Sequence, residues 1–89
     1  MHRIECVITG KVQGVFFREF AKRHADLLGI TGFAENREDG GVFVIAEGEK
    51  TTLEDFISRL KEGSEHANVT NVSVVWEEAI GGNTLFSIS

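Results

Sequence analysis

Two apolar stripes at helical spacing, each closed by a glycine and flanked by alternating runs, leave this 89-residue chain few folds to choose from. The first stripe takes Phe17, Phe20, Ala21, His24 and Leu28 and stops at Gly29, which predicts a helix over about 16–28. The second takes Leu53, Phe56, Ile57 and Leu60 and stops at Gly63, and Thr51 with Glu54 reads as a capping box at its start. Elsewhere the period is two. Ile4, Cys6 and Ile8 alternate with Arg3, Glu5 and Thr9, predicting a strand over 2–10. Residues 30–36 and 42–47 read as strands around the turn signal Asp39-Gly40-Gly41. Val72, Val74 and Trp76 share one face of a strand over 69–77, and Phe86 and Ile88 point inward from a short segment over 84–89.

The order strand, helix, strand, strand, helix, strand, plus a last short strand, predicts an α+β fold. It fits a ferredoxin-like split β-α-β sandwich, an antiparallel sheet with two helices on one face. A single domain over 1–89 is long enough for one core without disulfide or metal staples. With 42% hydrophobic and 26% charged residues the chain is not of the disordered class. No apolar run approaches the length of a membrane span, and Met1-His2-Arg3-Ile4-Glu5 lacks the apolar centre of a secretory signal. The lone Cys6 excludes an internal disulfide and, on the apolar face of its strand, reads as an inert buried thiol. A reducing cytoplasm is therefore expected. The net charge of −5, with acids gathered in Glu35–Asp39 and Glu47–Glu65 on what read as solvated faces, argues against nucleic acid and anionic membranes as partners. Trp76 and the phenylalanines read most simply as core, His24 as a core-boundary residue, and His2 and His66 as exposed.

Function has to come from Gly10-Lys11-Val12-Gln13-Gly14-Val15-Phe16-Phe17-Arg18, which joins the first strand to the first helix. A glycine-containing turn entering a helix aims several unpaired backbone N–H groups at one point, and the helix dipole adds positive potential there. Arg18 adds a planar fork that matches phosphate oxygens. A cation in a first helical turn is electrostatically misplaced unless an anion sits between it and those N–H groups. Lys11 is a secondary candidate for steering that anion. The same residues also fit a plain turn followed by a solvated arginine, so the residues alone leave both readings open.

The segment Ile8-Thr9-Gly10-Lys11-Val12-Gln13-Gly14-Val15-Phe16-Phe17-Arg18 closely resembles the signature segment of the acylphosphatases. Gly32-Phe33-Ala34-Glu35-Asn36-Arg37-Glu38-Asp39-Gly40-Gly41-Val42, closed by Gly48, resembles a second segment of that family, as does the ending Leu85-Phe86-Ser87-Ile88. The likeness thus covers essentially the whole chain. It implies a small, stand-alone cytoplasmic hydrolase that splits acyl phosphates into carboxylate and inorganic phosphate. It further implies a small-molecule substrate; no cluster of His, Cys or carboxylates has metal-ligand spacing, so neither metal nor cofactor is expected, and a monomer is expected. By the same resemblance Arg18 binds the phosphate and Asn36 orients the attacking water. Backbone N–H groups of Gly14, Val15, Phe16, Phe17 and Arg18 complete the phosphate site. Glu35 departs from the family, which usually carries a basic, amide or small residue there. Strand alternation puts it on the face opposite Ala34 and Asn36, whereas a bulge would swing it toward Arg18.

The implied chemistry needs little machinery. A carboxylate leaving group, with a conjugate-acid pKa of about 4, departs without a general acid. What remains is neutralising charge on the phosphoryl group and aligning one water. Asn36 can hold a water but cannot take its proton, which is expected to pass to a phosphate oxygen. Three other readings compete. A non-catalytic anion-binding module would lack phosphate release. An RNA-binding domain of this fold wants exposed strand aromatics and a basic surface, against the −5 charge. The acylphosphatase-like module of large hydrogenase-maturation carbamoyl-transferases is accompanied by Cys-rich zinc-binding segments, and this chain has one cysteine.

Overall fold

A computed structural model describes residues 1–89. The elements run β1 (His2–Lys11), α1 (Phe17–Leu28), β2 (Thr31–Asn36), β3 (Val42–Gly48), α2 (Lys50–Glu62), β4 (Asn68–Glu78) and β5 (Phe86–Ile88). They form one sheet in the order β4-β1-β3-β2-β5. The β1–β3, β1–β4 and β2–β3 pairs are antiparallel, as expected, and β3 separates β1 from β2 to give the split β-α-β arrangement. β5 lies parallel to β2, which makes the sheet mixed. The reason is the route of the chain: β4 and β5 occupy opposite edges, so the connection reverses and crosses the sheet. Three residues make a weak strand alone. Phe86, 1% exposed and edge-on to Phe56 at 5.9 Å, anchors it; burying such a ring is worth about 2–3 kcal/mol.

Both helices lie on the same sheet face. Ile4, Cys6 and Ile8 from β1 and Val42, Val44 and Ala46 from β3 meet Ala21 and Ala25 of α1 and Leu53, Phe56, Ile57 and Leu60 of α2 in one core cluster. The alternation read in the sequence is the alternation that is buried. Cys6 is fully buried, and desolvation pushes its thiol up to about 12, so it stays protonated and unreactive.

Three local expectations are corrected. α2 begins at Lys50 with Glu49 as its cap residue and no side-chain capping bond, so Thr51 lies inside the first turn with Glu54 beyond it, and the two form no capping box. Trp76 does face inward with Val74, but β4 is an edge strand and the indole stays 40% exposed, edge-on to His2. Glu47 is not on a solvated face: it is 6% exposed. Its carboxylate accepts from Ile80 N at 2.8 Å, Gly81 N at 3.0 Å and Arg3 Nη1 at 3.3 Å. It staples the β4–β5 connection to the sheet. The Ile80 and Gly81 amides and the Arg3 guanidinium hold its carboxyl below the usual range despite burial.

Strand order also arranges the end of the sheet where β1 and β2 finish and β3 and β4 start. Along that end the β2–β3 hairpin lies on one side of the β1 exit, and the α2–β4 loop lies on the other. The β1–α1 loop rises between them.

Candidate active site

Gly10 sets the start of that loop. The β1–β4 register shifts between Thr9 and Gly10, and Gly10 sits at φ 120° against the Asn68 carbonyl, where a Cβ would collide. Gly14 (φ 73°) and Phe16 (φ 60°, ψ 29°) then take left-handed conformations, and α1 begins at Phe17. For glycine this is free, but for phenylalanine it is a genuine outlier with a cost of order 1–3 kcal/mol. The neighbouring rings diverge: Phe17 is 1% exposed in the core and Phe16 is 75% exposed.

The backbone N–H groups from Gly14 to Glu19 find no acceptor within the protein; the first amide to do so is Phe20 N, bonded to Phe16 O at 3.0 Å. Six consecutive donors are thus free at a helix N-terminus, the arrangement that binds anions.

Two side chains pin the loop from opposite sides. Gln13 Nε2 donates to Arg37 O at 2.7 Å and to Gly41 O at 2.8 Å, tying the loop to the β2–β3 hairpin. On the other side, Ser64 Oγ donates to Val15 O at 2.9 Å. In a trans peptide the N–H points away from the C=O. Drawing the Val15 carbonyl toward Ser64 therefore turns the Phe16 N–H the other way.

Arg18, half-buried in the first turn of α1, donates from Nη1 to the Ser89 main-chain oxygen at 2.7 Å. The other donors of its five-donor guanidinium have no protein partner. Asn36 ends β2 opposite Val42, exposed, with its carboxamide unbonded. The hairpin beyond it closes through Arg37 N to Gly41 O at 2.8 Å, and Asp39 accepts from Gly41 N at 3.0 Å.

These parts meet. A cavity of about 210 Å³ is lined by Gly14, Phe16, Phe17, Arg18 and Asn36, with Val12 and Glu19 completing the wall. Val15 turns its side chain into the core, so only its main chain belongs to the site. Lys11, the secondary candidate, is exposed and does not line the cavity. β2 keeps a regular register from Thr31 to Asn36, so there is no bulge and Glu35 lies on the face away from Ala34, lining another hollow with Asn36, Arg37, Glu38, Asp39 and Phe43 but not the one that holds Arg18. Phe33 shares that outer face with Phe43, at 6.2 Å between ring centres, and takes no part in the cavity.

His24 stays structural. Its ring lies against Phe20 at 4.4 Å between centres, tilted by 49°, and its Nδ1 meets Arg59 Nη1 at 2.9 Å. Burial first, then the charges of Arg59 and Arg23, lower its pKa.

Gln13 and Ser64 escaped the sequence reading. An amide inside a glycine-flanked loop was a usable signal for Gln13. Nothing local marks Ser64, whose partner lies 49 residues away.

Fold and cavity together define a small α+β domain that presents a main-chain anion cradle, one guanidinium and one unpaired carboxamide in a single recess. The acylphosphatase family model matches residues 4–88. Acylphosphatase of Dehalococcoides mccartyi strain 195 is 45% identical over 89 residues, covering 99% of this chain and 98% of that one. Acylphosphatase of Thermus thermophilus is 47% identical over 81 residues, covering 91% and 92%. The crystal structure of acylphosphatase from Bacillus subtilis superimposes with a TM-score of 0.97 at 37% identity, over 100% of this chain and 99% of that one. This chain belongs to the acylphosphatase family.

Proposed function

We propose that this domain hydrolyses acyl phosphates, with Arg18 and the loop amides gripping the phosphoryl group and Asn36 holding the water that attacks it. The observation that carries the reading is the shared cavity: Arg18 of α1 and Asn36 of β2, 18 residues apart in sequence, line one recess with the free N–H groups. The oxygens of the phosphoryl group accept from the amides of Gly14, Val15, Phe16, Phe17 and Arg18 and from the free edge of the guanidinium. Water at the Asn36 carboxamide forms the new P–O bond as the bond from phosphorus to the acyl oxygen breaks. The electron pair leaves with the carboxylate, and the water proton passes to a phosphate oxygen. The charge that spreads over the phosphoryl oxygens is met by fixed donors. No part of this scheme calls on a metal or cofactor. We read the protein as a single-domain monomer in the cytoplasm, a setting consistent with its single, buried thiol.

The test is hydrolysis of acetyl phosphate in the presence of chelator, with inorganic phosphate as competitive inhibitor. Arg18→Ala is expected to lose on the order of a thousandfold in kcat/KM and to lose inhibition by phosphate. Asn36→Ala is expected to lose on the order of a hundredfold in kcat while phosphate inhibits almost as before. Equal loss of phosphate binding in Asn36→Ala would remove the water-holding role.

A further inference from the structure

Phe16 is the only residue other than glycine at positive φ, and its side chain does not keep it there. A strained backbone persists only where its surroundings impose it. The Phe16 ring is 75% exposed, so core packing imposes nothing. The peptide after Phe16 is fixed, because Phe20 N donates to Phe16 O at 3.0 Å, but φ is set by the peptide before it. There the Val15 carbonyl has a single protein partner, Ser64 Oγ at 2.9 Å.

That peptide has a second orientation open to it. Turning the Val15–Phe16 plane over changes only Val15 ψ and Phe16 φ, and returns φ to the negative region that side chains prefer. Both Cα atoms stay in place, so Val15 keeps its side chain in the core and Phe17 keeps its packing. The site, however, would change sign at this point. In a trans peptide N–H and C=O point opposite ways, so the Phe16 donor would leave the cradle and the Val15 oxygen would face the phosphoryl group. From this we infer that Ser64 is a positioning residue for phosphate, a latch that holds the Val15–Phe16 peptide against that flip, a reading that rests on the loop amides gripping the phosphoryl group.

Ser64 is well placed to act as a latch. It follows the end of α2 at Gly63, whose N–H donates to Arg59 O at 3.1 Å, and its own carbonyl accepts from Ala67 N at 3.0 Å. The hydroxyl is thus presented from a backbone tied on both sides. The two braces of the loop then act on different quantities. Gln13 joins the loop to the hairpin beside Asn36, whereas Ser64 makes no bond to that hairpin and bears on the grip itself.

The experiment measures the inhibition constant of inorganic phosphate and kcat/KM for benzoyl phosphate. The variants are Ser64→Ala and Ser64→Thr, with Ser64→Ala made also in a Phe16→Gly background. Ser64→Ala is expected to weaken phosphate inhibition roughly fivefold, the effect of one hydrogen bond, with kcat/KM falling at least as far. Ser64→Thr keeps the hydroxyl and is expected to stay within about twofold of wild type. Glycine holds positive φ without strain, so against Phe16→Gly the same Ser64→Ala change is expected to weaken inhibition by less than about twofold. A bond that merely stabilised the loop would count equally in both backgrounds, and that result overturns the latch. Unchanged phosphate inhibition in Ser64→Ala overturns it too. The HN–Hα coupling of Phe16 reports φ directly and is expected to change in Ser64→Ala but not in Ser64→Thr; an unaltered coupling in Ser64→Ala refutes the flip. If Ser64→Ala does not fold, Ser64→Cys, a weaker donor of similar volume, carries the same comparison. Arg18→Ala run in parallel separates the two claims: normal phosphate inhibition there overturns the site itself, whereas its loss beside unaltered inhibition in Ser64→Ala overturns only the latch.

Discussion

Gln13 is where loop and hairpin are joined, so Gln13→Ala probes whether the two halves of the site are held together by that side chain. The substitution deletes bonds of 2.7 and 2.8 Å to Arg37 O and Gly41 O. Neither carbonyl is orphaned: Arg37 O still accepts from Gly40 N at 3.3 Å, and Gly41 O from Arg37 N at 2.8 Å. The cost is therefore that of two net hydrogen bonds, about 2 kcal/mol, without an added desolvation penalty. In a domain of this size that is a fall in Tm of about 10 °C. Function should divide unevenly. The cradle keeps its Ser64 bond at 2.9 Å and its Arg18 anchor at 2.7 Å, so phosphate inhibition should change by no more than about twofold. Asn36, next to the freed Arg37, loses its registration on the phosphoryl group, and kcat is expected to drop about tenfold, within what small misplacements cost. Thermal unfolding followed by far-UV circular dichroism, with steady-state hydrolysis of benzoyl phosphate, reads both effects. An unchanged Tm, or phosphate binding weakened as much as kcat, would refute this account of the loop.

Three further outcomes are expected. The Glu47 carboxyl titrates below its unfolded value of 4.5, so its contribution is complete above that pH and disappears as pH falls through the folded value. Wild type should lose Tm on acidification below about 4.5, and Glu47→Gln should be less stable at pH 7 and flatter across that acid range; parallel curves would remove Glu47 as the source. Gly10→Ala forces a Cβ onto the Asn68 carbonyl oxygen and 2.8 Å from Thr70 N at φ 120°, and should lower stability by about 2 kcal/mol or more in urea titration, a near-neutral result being incompatible with the register shift described. Cys6 should resist a disulfide thiol reagent at pH 8 until denaturant is added, and rapid reaction of the native protein would contradict its burial.

The outline of the fold was readable because its elements announce themselves locally. Ile4, Cys6 and Ile8 alternate, Leu53, Phe56, Ile57 and Leu60 recur at helical spacing, and the same residues form the core. The cradle was readable for a similar reason: Gly14 through Arg18 are contiguous, and free amides follow from any helix start. Where local rules failed, a distant partner had intervened. Glu47 sits in an acidic stretch, yet amides 33 and 34 residues away draw it into the sheet. Trp76 patterned as core, but β4 became an edge and had no neighbour to cover the indole. At α2 the cap-like Thr51 and Glu54 were overridden by a helix that starts two residues earlier than such a cap would set, at Lys50.

The amino-acid order by itself therefore determined the periodic elements and the glycines that punctuate them, because those depend on backbone sterics and on neighbours a few positions apart, whereas Asn36 was singled out only by the family resemblance. Tertiary structure decided that Arg18 and Asn36 face one recess, that Gln13 and Ser64 brace the loop from either flank, and that β5 joins beside β2. Those bring together residues 18, 28, 49 and more positions apart, and they exist only once strand order has brought the segments into register.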